Sequence, residues 1–374
     1  MKEHIKPLIV CISIAVFIAL TCLSCKKNIT AERTIHLADY PFSDIDNLGK
    51  PVFKYLGCYP ISDGESFPVF GWMIGINDVD SSRLLLTDSN HGDVLLIDNT
   101  GLIISSFNRT GRGPGEYMSI SGAGLDLSRG RILVSDLMKK DRLLVYDTEG
   151  NISEPVLLSN PAMASIFNPA DNCVYSINAS PASSAVSIYD LNTGLTRTSK
   201  LTSDKKREGM VNIGGLYRID DAIVCEPPLS SELTEISNPE EPLFLKIDCG
   251  KLSMPEEYYS DGSKMENYGK NYIYVQSKTF FGKNYLFVEF LYDMKLFFDL
   301  WDIETGKLLY RRFASSEEDP LGYPAQNGSS ITYVSPSIIS SEGTAFNVLD
   351  GESASSFGIS NLNATYLLKM DVNF

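Results

Sequence analysis

RLLLTDSNHGDVLLIDNTG, residues 83–101, is the stretch that decides the fold of this chain. It consists of two apolar runs joined by a turn, and the second run ends on an aspartate followed by another turn. That second phrase occurs six times, with the aspartates Asp98, Asp147, Asp190, Asp248, Asp302 and Asp371. The intervals are 49, 43, 58, 54 and 69 residues, close to the period of four-stranded propeller blades. The repeat therefore predicts six units of one architecture.

The runs around these aspartates have the composition of β-strands. They are short, rich in Val, Ile, Leu and aromatic residues, and bounded by Gly, Asp and Asn, which is typical of strands and turns. No long stretch carries a helical period with capping residues. The sequence thus predicts an all-β fold, a six-bladed β-propeller. Each blade would run from an inner strand through two central strands to an outer strand.

The sixth unit has no room for an outer strand, because the chain ends at Phe374, three residues after Asp371. Residues 51–61, PVFKYLGCYPI, are strand-like and belong to no other unit. A missing strand would leave an open sheet edge. We therefore expect this N-terminal strand to complete the last blade and close the ring, with the propeller spanning residues 34–374.

The N-terminus has the pattern of an export signal. Lys2 and Lys6 precede a run from Leu8 to Leu20 that is apolar except for Ser13. This run fits a signal-peptide core better than a membrane span, which needs about 20 residues. We expect residues 1–24 to be a lipoprotein signal peptide.

The residues before Cys25 resemble a bacterial lipobox, although Cys22 stands three positions earlier where Leu is usual. We expect lipidation of Cys25 and a tether over residues 25–33. The alternative is a soluble exported protein cleaved nearby. Lys26 and Lys27 follow where a surface-export signal would be acidic, which favours the periplasmic side of the cell envelope over the cell surface.

The net charge of −15 argues against nucleic-acid partners, because these require a cationic surface. Contact with a membrane is expected through the lipid anchor only. Beyond Cys25 the cysteines are Cys58, Cys173, Cys225 and Cys249, which allow three pairings. Cys225 and Cys249 belong to one predicted blade and form the preferred pair, with buried free thiols as the alternative. Their spacing does not fit a zinc site.

The segment RTGRGPGEY, Arg109 to Tyr117, together with six units and a lipobox-like start, resembles the six-bladed β-propeller lipoproteins of Bacteroidetes, the TolB-like group. The resemblance covers the mature chain. It implies the fold and a place at the cell envelope, but it supplies no catalytic residues.

The glycine-rich part of this segment lacks the Gly-Lys-Ser/Thr ending of a nucleotide-binding loop. It lies where the chain must cross from one blade to the next, a position that suits Gly and Pro. A structural role is therefore the first interpretation. The alternative is a ligand site at the mouth of the channel, formed by Arg109, Arg112, Glu116 and Tyr117.

A second candidate surface is the tyrosine-rich link before Tyr285, with Tyr268, Tyr272 and Tyr274 as ligand-binding residues. Residues 88–93, DSNHGD, resemble a fragment of a calcium loop but lack its terminal Glu. Because Asp136 and Asp141 repeat Asp88 and Asp93 in the next unit, we interpret them as part of the hairpin and predict no metal site there.

Histidine is scarce after the signal segment, and neither His36 nor His91 has an obvious partner. A catalytic triad is therefore not expected. The sequence predicts a lipid-anchored envelope propeller that binds or scaffolds a protein or carbohydrate ligand at the channel mouth. The alternative is a propeller hydrolase, lactonase or lyase with a metal in the central channel. No cofactor is predicted, although a divalent cation in the channel would fit the second function.

Overall fold

Six separate sheets stand in a ring and form a six-bladed β-propeller, as the repeat predicts. The computed structural model describes residues 33–68, 70, 74–79, 82–153, 155–158, 160–178, 186–199, 201, 214–227, 230–255, 258, 269–316, 319 and 321–374.

Blades 1 to 6 follow one another along the chain, after three strands that precede blade 1. The three N-terminal strands are β1 Thr34–His36, β2 Ile45–Asp46 and β3 Phe53–Pro60. Blade 1 contains β4 Ile74–Val79, β5 Arg83–Asp88, β6 Asp93–Asp98 and β7 Ile103–Asn108. Blade 2 contains β8 Ile120–Asp126, β9 Arg131–Asp136, β10 Arg142–Asp147 and β11 Val156–Leu157. Blade 3 contains β12 Ala162–Asn168, β13 Cys173–Asn178, β14 Val186–Asp190 and β15 Thr196–Thr198.

The sheets of blades 4, 5 and 6 contain more than four strands each. Blade 4 contains β16 Gly215–Ile219, β17 Ala222–Glu226, β18 Glu232–Glu235 and β19 Leu243–Asp248. Blade 5 contains β20 Tyr274–Phe281, β21 Tyr285–Tyr292, β22 Lys295–Asp302 and β23 Lys307–Ala314. A hairpin follows, β24 Tyr323–Asn327 and β25 Ser330–Val334, and then the blade 6 strands β26 Ile338–Ile339, β27 Thr344–Leu349 and β28 Tyr366–Val372. The described helical turns are Leu37–Asp39, Leu127–Arg129, Gly250–Leu252, Gly351–Ala354 and Ser355–Phe357.

The central strands are apolar at consecutive positions because both faces of each sheet are buried. Successive side chains of a strand point to opposite faces. On β5, Leu85 packs in the cluster shared with blade 2, whereas Leu84 and Leu86 pack in the cluster shared with blade 6. All three are fully buried. Such two-sided burial replaces the alternating pattern of a half-exposed sheet by a continuous apolar run.

An apolar cluster fills the interface between every pair of neighbouring blades. The cluster between blades 6 and 1 joins Phe346 and Leu367 to Leu84. The last blade thus packs on the first through buried apolar side chains. The other interfaces are filled in the same manner, between blades 1 and 2, 2 and 3, 3 and 4, 4 and 5, and 5 and 6.

Blade 6 takes a strand from the N-terminal part of the chain. β3 pairs antiparallel with β28, with Leu368 opposite Cys58 and Val372 opposite Phe53. This is the strand that the sequence assigned to the last blade. On its other edge β3 pairs with β24, so the β24–β25 hairpin extends blade 6 to six strands. The hairpin was not foreseen from the sequence.

Two shorter N-terminal strands extend the preceding blades. β1 pairs parallel with β19 at the outer edge of blade 4, and β2 pairs with β23 at the outer edge of blade 5. The segment between β1 and β2 is held by Arg311, which is fully buried. Its guanidinium donates to the carbonyls of Leu37, Tyr40 and Pro41 and binds the carboxylate of Asp299 at 2.6 and 2.8 Å.

Five of the six repeated aspartates, all except Asp371, bind the turn that follows the strand they end. The carboxylate of Asp98 accepts the backbone N–H of Thr100 and Leu102, and that of Asp147 accepts the N–H of Glu149 and Asn151. Equivalent bonds are made by Asp190, Asp248 and Asp302. The aspartates thus replace missing backbone partners within a tight turn, which explains why the residue recurs with the blades.

The preferred disulfide, Cys225–Cys249, is wrong. The four cysteines of the described residues form no disulfide. Cys225 lies on β17 and Cys249 follows β19, and β18 lies between these two strands. Strands two apart are separated by about 9–10 Å, beyond the Cα distance of about 7 Å that a disulfide can bridge. Burial raises the pKa of the Cys58 thiol to about 11, which keeps it protonated.

Among the residues that the structure describes, no helix is both long enough and apolar enough to cross a membrane.

Acidification tests the role of the turn aspartates. Hydrogen bonds from Asn151 lower the pKa of Asp147, and those from Asn192 and Thr193 lower the pKa of Asp190. A carboxylate with a lowered pKa stabilises the fold above its unfolded pKa of about 4 and loses that contribution as the pH falls through its folded pKa. We expect Asp147→Asn/Asp190→Asn to lose less unfolding free energy than the unaltered protein between about pH 6 and pH 3, measured by urea denaturation. An equal loss would contradict this role.

Candidate functional site

The central channel holds a cavity of about 620 Å³ that all six blades line. The inner strands β4, β8, β12, β16, β20 and β26 are the edge strands of their sheets. An edge strand leaves backbone N–H and C=O groups without partners in the sheet. The channel wall therefore offers backbone donors and acceptors, in addition to its side chains, to a molecule of suitable size.

One end of the channel is formed by the turns that join each inner strand to the second strand, and we call it the turn end. Asn168 donates from Nδ2 to the carbonyl of Asp221 at 3.0 Å, which links the turns of blades 3 and 4. Gly282, in the turn of blade 5, lies beside the carboxylate of Asp220. Glu342 lines the cavity from the turn of blade 6. The exposed carboxylates of Asp220, Asp221 and Glu342 thus gather at the turn end.

A buried ion pair lies in the channel wall, farther along the inner strands from the turn end. Lys278 of β20 donates from Nζ to Oε2 of Glu226 at 2.8 Å, and their side chains are only 9% and 10% exposed. Tyr217 donates to the same oxygen at 3.1 Å. Burial, followed by the charge of Glu226, raises the pKa of Tyr217 well above its ordinary value. The tyrosine therefore stays a neutral donor, and Lys278 and Tyr217 both line the cavity.

The predicted loop at Arg109–Tyr117 connects β7 of blade 1 to β8 of blade 2 and is bound tightly to its surroundings. Tyr117 is fully buried, donates to the carbonyl of Gly92 at 2.7 Å and has its pKa raised by burial to about 12. Arg109 donates from Nε to the carbonyl of Gly150. Glu116 accepts the N–H of Gly113 within the loop.

Two cations of blade 2 bind the carbonyls of the same loop. Lys139 donates to the carbonyls of Arg112 and Gly113, and Arg142 donates to those of Gly113, Pro114 and Glu116. These hydrogen bonds give the loop a structural role, which is to connect blade 1 to blade 2. Arg112 itself is exposed, and neither it nor the other predicted residues of the loop belong to the channel lining.

Two tyrosines of the second predicted surface, Tyr272 and Tyr274, lie at the start of blade 5. Tyr274 is the first residue of β20 rather than part of the link, and it pairs with Leu291. Tyr272 lies in the link and packs edge-on against Tyr258, with ring centroids 5.3 Å apart. Tyr268 lies outside the described residues. Because the Arg109–Tyr117 loop joins blades 1 and 2, the structure does not bring the two predicted surfaces into one site.

The histidines have partners that the sequence did not reveal. His36 lies 3.0 Å from the carboxylate of Asp248, and His91 lies 2.7 Å from that of Asp88. Asp88, His91 and Asp93 are close enough together to bind one ion. However, Asp88 also accepts the N–H of Asn90 and His91, and Asp136 accepts three backbone N–H groups at the same place in blade 2. These bonds support the hairpin interpretation.

The pair Glu226–Lys278 was missed because its members lie 52 residues apart on two blades. A weak signal existed for Glu226 alone, which ends the otherwise apolar run AIVCE, whereas Lys278 stands among the polar residues Gln276, Ser277 and Thr279. A charge in such a place needs a partner.

Removal of the charge of Lys278 tests whether its ion pair with Glu226 is buried. Lys278→Met leaves the carboxylate of Glu226 buried without a counter-charge, and we expect a loss of about 3–5 kcal/mol of unfolding free energy in urea denaturation. In Lys278→Met/Glu226→Gln the neutral amide still accepts from Tyr217, so most of that loss should be recovered. Equal stabilities of the single and double variants would show that the pair is not buried as described.

Comparisons with known proteins agree with the fold. A solved structure from Bacteroides fragilis NCTC 9343, provisionally named an exported protein, is 13% identical with a TM-score of 0.63, over 92% of this chain and 99% of that one. A member of the DUF4221 family from Bacteroides vulgatus ATCC 8482 is 11% identical with a TM-score of 0.54, over 86% of this chain and 98% of that one.

Identities this low show a shared fold alone. No curated protein matches the chain. A family model, the domain of unknown function DUF4934, matches residues 74–366, from the first strand of blade 1 to the last strand of blade 6. The chain therefore belongs to the DUF4934 family.

Proposed function

We propose that this protein is an exported, lipid-anchored propeller that binds a small ligand in its central channel. The observation that carries the proposal is the cavity of about 620 Å³ lined by all six blades. Its volume falls within the range of about 300–1,000 Å³ that is usual for small-molecule sites. A ligand there would contact residues from distant parts of the chain, because the blades of a propeller surround one central channel.

The walls of the cavity suit recognition of a small polar molecule. They combine apolar surface from Phe167, Ile338 and Phe280 with polar groups of Asn77 and Lys278. Such a mixture is typical of ligand sites, in which apolar groups supply contact area and a few polar groups set orientation. This supports binding in the channel over scaffolding through the outer surface.

The rival function, a metal-dependent hydrolase, lactonase or lyase, calls for several converging ligands in the channel. The three-residue group at Asp88, His91 and Asp93 belongs to a hairpin turn of blade 1 and is not part of the described cavity lining. The carboxylates of Asp220, Asp221 and Glu342 do line the cavity, but among the described residues they are not a group close enough together to bind one ion, which favours binding over metal-dependent catalysis.

Export is supported by the signal-like N-terminus and by the provisional name of the Bacteroides fragilis relative. Cys25 and the tether lie outside the described residues. A lipid on Cys25 would hold the propeller at a membrane. The lysines after Cys25 favour the periplasmic side.

A tryptophan at the turn end tests the channel. Ser341 is exposed and lines the cavity, so Ser341→Trp should narrow the opening. We expect at least one compound from a panel of amino acids, short peptides and oligosaccharides to raise the Tm, because a ligand that binds only the folded state stabilises it. That shift should be lost in Ser341→Trp.

Ser106→Trp is the matched control, because Ser106 is exposed on β7 at the outer edge of blade 1. It should keep the Tm shift. A panel without any stabilising compound, or a shift that survives Ser341→Trp, would contradict binding in the channel.

The anchor is tested by mass spectrometry of the mature N-terminus and by fractionation. We expect a lipid-modified Cys25 and a membrane-associated protein, because two or more acyl chains anchor a protein stably. Cys25→Ala should release the protein into the soluble fraction. Cys22→Leu, which restores the usual lipobox residue, should stay in the membrane fraction. An unmodified N-terminal residue in the unaltered protein would refute lipidation.

A further inference from the structure

We propose that the central channel binds free peptides of about four residues, with the terminal carboxylate at Lys278 and the terminal ammonium at the turn end. The inference rests on the proposed function, because it names the ligand class of the same channel.

Lys278 supplies the site for the carboxylate. An ammonium group carries three N–H donors, and the one bond that the structure gives to Nζ is the bond to Glu226. The side chain is nine-tenths buried and lines the cavity, so its remaining donors are within reach of a ligand in the cavity. A buried donor without an acceptor is costly. A ligand oxygen at this point would remove that cost.

The turn end supplies the site for the ammonium. Asp220, Asp221 and Glu342 come from two different blades and line the same end of the cavity, with Arg218 in the wall between them and the ion pair. Among the side chains that line the cavity here, three carboxylates stand against one guanidinium, which leaves the lining negative. Asp220 is held there by its backbone, which adopts the left-handed conformation at φ 54, a conformation that Asp tolerates better than most residues.

The separation of the two ends sets the length of the ligand. Lys278 lies four residues before Gly282 on β20 and its turn, which corresponds to about 13 Å of strand. An extended peptide spans about 3.3–3.6 Å per residue, so four residues reach from one end to the other. The unpaired edges of the inner strands can bind the peptide backbone, as sheet edges do in other peptide complexes.

Equilibrium dialysis with a pool of mixed-sequence tetrapeptides tests the inference, with mass spectrometry of both chambers. We expect enrichment of the pool with free termini on the protein side. The N-acetylated pool and the C-amidated pool should each bind about tenfold more weakly, because each lacks one charge-assisted contact.

Two double variants test which end of the channel binds each terminus of the peptide. In Lys278→Met/Glu226→Gln the difference between the free and amidated pools should disappear. In Asp220→Asn/Asp221→Asn the difference between the free and acetylated pools should shrink, while discrimination against the amidated pool remains. Glu240→Gln/Glu304→Gln, which removes exposed carboxylates outside the cavity lining, is the control and should bind like the unaltered protein.

The outcomes separate this inference from the proposed function. Equal retention of the three pools, or no enrichment of any pool, would overturn the peptide inference. If another compound class, such as a neutral oligosaccharide, then raises the Tm in a manner abolished by Ser341→Trp, channel binding stands and only the ligand class is wrong. If no compound does so, both fail.

Discussion

Burial of both faces of every sheet is the constraint on which the rest of this structure depends. Each sheet has apolar side chains on two sides, so it needs two neighbours, and a ring is the arrangement in which each sheet has them. Leu84 and Leu85 show the consequence at the level of single residues, because adjacent positions of one strand pack against different blades. The inner edges of the sheets are then left around an axial space, and this creates the channel.

The need to complete the ring explains why residues 34–60 pair with strands of blades 4, 5 and 6. The last blade would lack a partner strand for β28, and β3 supplies it. Before that, the chain passes along blades 4 and 5 and adds one short strand to each. Arg311 fixes this path by binding three backbone carbonyls and Asp299 in a fully buried site. A buried charge with so many partners specifies one position of the N-terminal segment.

The sequence predicted what local patterns encode. Apolar runs, turn aspartates and their spacing were enough for the strands, the number of blades and the strand that joins blade 6. β1 and β2 could not be foreseen, because strands of two or three residues carry no periodic signal. The Arg109–Tyr117 loop drew attention by its composition, but Lys139 and Arg142 show that it joins two blades. Lys278 and Glu226 in the channel wall become neighbours only when blades 4 and 5 pack together, and no local pattern encodes that contact.

The pairing of β1, β2 and β3 with later strands also has a consequence for the order of folding. Their partners lie at residues 246–248, 310–311 and 366–372, so in a chain made from its N-terminus these strands wait for partners that are synthesised much later. Contacts this distant in sequence form late and slowly. The earliest residues therefore finish folding together with the last ones, and the channel acquires its sixth wall only when the whole chain is present.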